Sequence, residues 1–113
     1  MSVAIKRVYE EPSDSDGHRI LVDRLWPRGV SKQNARVDEW LKEVGPSTEL
    51  RKWFGHDPER FEEFAARYRV ELEGSDAYRR LADAVAGHGR VTLVYSAKDE
   101  RHNQAVVLQG LLS

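Results

Sequence analysis

The chain contains no cysteine. That one absence excludes disulfides, thiol nucleophiles, dithiol redox pairs and thiolate metal sites together, and it suits a reducing cytoplasm. An excess of either charge is missing too. With 18 Lys and Arg against 19 Asp and Glu, the chain lacks the overall positive field of a nonspecific nucleic-acid binder, so nucleic acid is not an expected partner without a local basic patch. No apolar run approaches the roughly 18 residues a membrane span needs. The opening MSVAIKRVYEE lacks the apolar core of a signal peptide. A soluble cytoplasmic protein with no membrane partner is expected. Gly29 and Gly45 stand alone, so no glycine-rich phosphate loop of standard spacing exists, and Ser96 has no G-x-S-x-G frame. The histidines at 18, 56, 88 and 102 include no close pair with metal-ligand spacing, so neither a metal nor a cofactor is expected.

A length of 113 residues predicts a single domain over 1–113. The run VAIKRVYE, Val3 to Glu10, reads as a strand closed by the turn-forming EPSDSDG. RILVD comes next as a second strand, and its nearly continuous apolar character from Ile20 towards Leu25 marks it as central and covered on both faces. The loop between them is only about ten residues, which leaves a parallel crossover and a hairpin both open. Val37, Trp40, Leu41 and Val44 have helical spacing and predict a short amphipathic helix ended by Gly45-Pro46. Ser47 caps the next helix, to about Phe54. Asp57-Pro58 opens a third, with Phe61, Phe64, Ala65, Tyr68 and Leu72 inward and Gly74 as its stop. A fourth begins at Ser75 and ends in GHG. Val91 to Ser96 predicts a buried strand, and Asp99 is the expected cap of a last helix from about Glu100 to Leu112. The fold class is therefore α/β: a small, mainly parallel sheet of three or four strands flanked by about five helices.

In such sheets the ligand crevice lies beyond the carboxyl ends of the strands. Two unusual stretches fall there. DRLWPRGVSK carries Arg24, Arg28, Lys32 and Arg36 at every fourth position, yet Pro27 and Gly29 preclude a continuous helix, so irregular backbone presents the cations. Arg24 and Arg28 suit a phosphate or carboxylate, since a guanidinium donates two parallel hydrogen bonds, with Trp26 as a flat wall. A purely structural role for the same residues would pair Arg24 with Asp23 or Asp99, lay Trp26 over the core and leave Arg28 solvated. SAKDERHN supplies Ser96, Lys98, Asp99 and His102 as candidates for general acid–base chemistry and Asn103 as an oriented amide. There the structural role would be a capped and solvated first helical turn. PSTELRKWFGHDP adds Ser47, Arg51 and His56 as ligand-binding candidates, with ordinary helix capping as the simpler role for Ser47. Trp40 and Trp53 sit on helical apolar faces and are expected to be core.

Three motifs occur in order: RILVDRLWPRGVSK, then WLKEVGPSTELRKWFGH, then VTLVYSAKD with a later HN. Together they resemble the YeaO-like branch of the domain-of-unknown-function 488 (DUF488) family, over essentially the whole chain. The family pattern falls on Asp23, Arg24, Trp26, Pro27, Arg28 and Gly29, on Ser47, Leu50, Arg51, Trp53, Phe54 and His56, and on Tyr95, Lys98, Asp99 and Asn103. The resemblance implies a small α/β fold and carries no established activity. More distant family members place a cysteine and a histidine–arginine pair near the last strand, and with no cysteine here, thiol chemistry does not transfer.

Three functions are expected on this basis. The first is a site for an anionic small molecule at the carboxyl edge, built by Arg24, Arg28, Arg51 and Lys98, with hydrolysis or group transfer if it is an enzyme. The second is a noncatalytic module that senses such a ligand or docks a protein partner through Trp26. The third is local contact with single-stranded nucleic acid by tryptophan stacking, against which the near-neutral charge weighs.

Overall fold

Ile20, Leu21 and Val22 have no exposed surface, and a run buried on consecutive residues is what a strand covered on both faces requires. The computed structural model, which describes residues 2–113, places this run at the end of β2 (His18–Leu21). The other strands are β1 (Ser2–Arg7), β3 (Glu39–Trp40) and β4 (Arg90–Tyr95). The sheet order is β1-β4-β2-β3 and every pairing is parallel. No hairpin joins the first two strands. The last strand of the sequence inserts between them, because its unbroken run Val91 to Tyr95 is buried throughout and needs a hydrogen-bonding neighbour on each side.

Five helices complete the α/β architecture: α1 (Lys32–Ala35), α2 (Thr48–Phe54), α3 (Phe61–Leu72), α4 (Asp76–Gly87) and α5 (Gln104–Leu112). Short polar side chains start them. Ser47, Ser75 and Asn103 accept from the amides of Leu50, Tyr78 and Val106, and Asp57 caps a 3-10 turn at Pro58–Arg60 that leads into α3. Alternation along the strands feeds two cores. Ile20, Val22, Val91, Leu93 and Tyr95 pack with Phe64, Tyr68 and Leu81 from the long helices, whereas Leu21 and Val94 face Val8, Ala35 and Trp26 on the other side. No helix among the described residues is long and apolar enough to cross a membrane.

Two elements differ from the sequence reading. The stripe Val37 to Val44 is not a helix: it forms β3 and a 3-10 turn at Lys42–Val44. Its backbone completes the free edge of β2, with Asp38 N donating to Arg19 O at 2.9 Å and Leu41 N to Leu21 O at 3.0 Å. Unpaired strand amides outrank a short apolar periodicity. The last helix begins at Gln104 rather than Glu100, because Asp99 closes a separate turn by accepting from the amides of Arg101 and His102.

The crossover from β1 to β2 rests on a buried polar clasp. Arg19 Nη1 bonds Asp16 Oδ2 at 2.6 Å, Lys6 Nζ bonds Asp16 Oδ1 at 2.9 Å, and Arg19 reaches the carbonyls of Ala35 and Arg36. Burial pushes the Asp16 carboxyl up, but the Ser13 amide, Lys6 and Arg19 outweigh it and hold the group below its ordinary value. Gly17 lets the chain pass from this clasp into β2 at φ +68, where an added Cβ would lie 2.3 Å from Arg90 O. Gly17→Ala is expected to destabilise the fold by roughly 2–4 kcal/mol, read as a lower urea midpoint with an unchanged slope.

Candidate functional site

The two central strands end side by side, and the segments leaving them build a pocket. Val22 N continues the ladder to Val94 O at 3.0 Å. One residue later the side chain takes over from the backbone. Asp23 Oδ2 accepts from Ser96 N at 3.0 Å, and Asp23 Oδ1 accepts from Gln104 Nε2 in the first turn of α5. A buried carboxylate thus joins β2, β4 and α5. Burial raises its pKa, an effect that the hydrogen bonds from Ser96 and Gln104 and the charge of Arg51 oppose without cancelling.

The cavity beside Asp23 holds about 220 Å³, and Arg24, Arg51, His56, Ser96, Asn103 and Gln104 form its polar wall. Phe54 and Phe64 line its apolar side, with their rings stacked at 4.3 Å. Arg24 is pinned: its Nε donates to Gly45 O at 3.1 Å and to Pro46 O at 2.7 Å. This close pass requires glycine at 45, since a Cβ there would sit 2.9 Å from Arg24 Cγ. Tyr68 supports the same segment from below, donating to Val44 O at 2.5 Å. Arg51 projects from α2 and is different. Its Nε is shut off from solvent and has no hydrogen-bond partner, the one buried side-chain polar atom so placed among the described residues.

The structure brings Arg24, Arg51, His56, Ser96 and Asn103 together around this cavity. His56 stands there in the left-handed region at φ +57. A groove of about 470 Å³ adjoins it, lined by His56, Ser96, Ala97, Lys98 and Asp99. His102 Nδ1 lies 2.9 Å from Asp99 Oδ2, with its ring edge-on to Phe61. The amides of Arg101 and His102 and the His102 ring hold the Asp99 carboxyl below its ordinary value. Asn103 is fully engaged: its Oδ1 caps α5 and its Nδ2 donates to Asp99 O at 2.8 Å. Trp26, Arg28 and Ser47 are not among the residues lining either concavity. The Trp26 Nε1 donates to Val30 O at 2.6 Å and its ring meets Trp40 edge-on at 5.4 Å, on the other face of the sheet. Arg28 is exposed. Ser47 caps α2 and donates its hydroxyl to Glu71 at 2.6 Å.

Sequence reasoning did not single out Asp23, Gln104, Phe54 or Phe64 as site residues. Asp23 was detectable in principle, as an acid directly after a fully apolar central strand. Gln104 and the two phenylalanines carry no local signal, since only the tertiary fold turns them towards one space. No metal-ligating trio forms at this edge: the one such group among the described residues is His18, Glu39 and His88, at the opposite end of the strands.

A doubly covered parallel sheet with a polar pocket at its carboxyl edge places the protein among small open α/β domains. The chain belongs to the DUF488 family: the subclade described as "Inactive DUF488-N3 subclade" matches residues 2–113. The chain is similar to the uncharacterized protein YeaO of Escherichia coli (strain K12), with 48% identity over 113 residues, covering 99% of this chain and 97% of YeaO. It is also similar to an uncharacterized protein of Mycobacterium tuberculosis (strain H37Rv), 46% identical over 111 residues, covering 98% of this chain and 93% of the relative. No solved structure matches significantly.

The raised Asp23 pKa has a definite sign. A folded state that binds the proton more tightly than the unfolded chain loses stability as pH rises from the ordinary value of 3.8 through the folded one. Asp23→Asn keeps the side-chain shape and removes the titration, with its Oδ1 accepting from Ser96 N while Gln104 turns its amide to accept from the new Nδ2. Unfolding free energies measured from pH 3 to 7 should therefore show the variant gaining on the parent as pH rises through that window, and a flat difference would contradict the assignment.

Proposed function

We propose that this domain binds a small phosphate- or carboxylate-bearing molecule in the pocket beyond Asp23, and that it acts as a noncatalytic ligand-sensing module. The observation that carries this reading is Arg51. A guanidinium nitrogen removed from water without a partner costs about 1–3 kcal/mol; Arg51 lines the cavity, and a turn of its guanidinium towards a ligand oxygen there would give the Nε–H a partner and recover that cost. The pocket wall holds two guanidinium groups, Arg24 and Arg51, against one carboxylate, Asp23, so its balance favours a single negative charge. Phe54 and Phe64 offer a flat apolar surface to the rest of the molecule. The cavity of about 220 Å³ is smaller than the roughly 300–1,000 Å³ of drug-sized sites and suits the anionic group itself, with the adjoining groove of about 470 Å³ open to the rest of the molecule.

Binding without turnover is favoured over a hydrolase or transferase by the description of the family as an inactive subclade. It is favoured as well by the way the polar groups are committed: both oxygens of Asp23 and both ends of the Asn103 amide are already hydrogen-bonded. The catalytic reading has one observation of its own, the His102–Asp99 pair at 2.9 Å beside Lys98 and Ser96.

The test is thermal unfolding and calorimetric titration with inorganic phosphate, phosphate monoesters and short carboxylates, on the parent and on Arg51→Met. A true ligand at one hundred times its Kd stabilises by about 2.7 kcal/mol, which raises Tm by roughly 10 °C. Arg51→Met should fold with a similar Tm and lose that shift. An equal shift in parent and variant, or none with any compound, overturns the reading. Turnover of a bound ester that His102→Ala abolishes would favour catalysis instead.

A further inference from the structure

We infer that the amino edge of the sheet holds a site for one divalent transition-metal ion, built by His18, Glu39 and His88. The parallel order β4-β2-β3 starts three strands side by side. His18 is the first residue of β2, Glu39 the first of β3, and His88 lies two residues before β4. Topology therefore gathers three side chains that the sequence holds far apart, which is why histidine spacing gives no sign of them.

The donor atoms of the three lie within 4.8 Å of one another. His18 Nε2 is 2.6 Å from Glu39 Oε1, and the His18 and His88 rings stack at 3.7 Å between centroids with 6° between their planes. In a tetrahedral zinc site the donors stand roughly 3.3 Å apart, and because the stacked rings hold their in-plane lone pairs in near-parallel planes, the set closes only when one imidazole makes a rotation out of the stack. His88 is free to make it. The residue is exposed and lies between Gly87 and Gly89, whereas His18 is half-buried and fixed by its strand. Asp38 lies on the other side of His18, its Oδ2 accepting from Arg19 N at 2.8 Å and standing 3.8 Å from His18 Nδ1, beyond hydrogen-bond reach.

Two neutral imidazoles and one carboxylate suit zinc, cobalt, nickel or copper rather than magnesium or calcium, which prefer oxygen ligands. Three protein ligands leave a position for water. The ion would also tie β3, only two residues long, to β2 and to the α4–β4 turn. The site lies at the opposite end of the strands from the Arg51 pocket and stands or falls independently of it.

The experiment is titration of tag-free, chelator-treated protein with Zn²⁺ by calorimetry and with Co²⁺ by visible absorption, on the parent, His88→Ala, Glu39→Gln and the double variant His56→Ala/His102→Ala. The parent should take up one equivalent and show the intense visible bands of low-coordinate Co²⁺. His88→Ala, which alters an exposed residue, should keep its metal-free Tm and lose more than about 100-fold in affinity, beyond the roughly 10–100-fold that losing an outer partner costs. Glu39→Gln should also bind more weakly, and the double variant should match the parent. Undiminished binding by His88→Ala, or no uptake by the parent at millimolar metal, overturns the proposal.

Discussion

Everything at the carboxyl edge depends on one buried carboxylate. Where the backbone ladder between β2 and β4 runs out, the Asp23 side chain takes the next amide, Ser96 N, and holds Gln104 with its second oxygen. The two central strands therefore end in register, and α5 starts at a fixed position above them. The cavity lies where these three ends meet, with Asp23 in its wall and Phe54 and Phe64 on its apolar side. The same burial that makes the clamp rigid raises the Asp23 pKa, so the charge that organises the edge is itself under strain, with the charge of Arg51 partly compensating it.

Two arginines differ in how fully their guanidinium groups are paired. Arg19 bonds Asp16 and the carbonyls of Ala35 and Arg36, and a guanidinium so completely paired is a structural clasp. Arg51 has its Nε buried without a partner beside a cavity. Natural cores rarely leave such a donor unpaired, and where they do the site is a place to look for a ligand. Arg24 is intermediate, anchored to Gly45 and Pro46 through Nε while its side chain still lines the pocket. The opposite end of the sheet obeys the same logic with different chemistry, since parallel strands that start together bring their first residues into contact.

Much of the fold was legible because it was written locally. The Ser47, Ser75 and Asp57-Pro58 caps, the glycine stop at Gly74 and the apolar strands all act through neighbours in sequence, and they appear where expected. The Val37–Val44 segment misled because its apolar spacing satisfies a helix while the vacant edge of β2 dictates an extended chain. The location of the pocket was legible from topology and from the charged loops after β2 and β4. Its centre was less so. Asp23 opens the DRLWPRG stretch, yet its role depends on Ser96 and Gln104 converging from the far end of the chain. Trp26, the most conspicuous residue of that stretch, turns to the other face, held by the Val30 carbonyl.

The proposed engagement of the buried Arg51 Nε by a ligand oxygen has a direct spectroscopic readout. The measurement is the ¹H–¹⁵N signal of the Arg51 Nε–H group, assigned by its loss in Arg51→Lys and tracked through a titration with inorganic phosphate and short carboxylates. A downfield proton shift that saturates, together with movement of the Ser96 amide, is the expected result. A signal that stays in place while other residues report binding would mean that the ligand is held elsewhere and that Arg51 is only a strained part of the core.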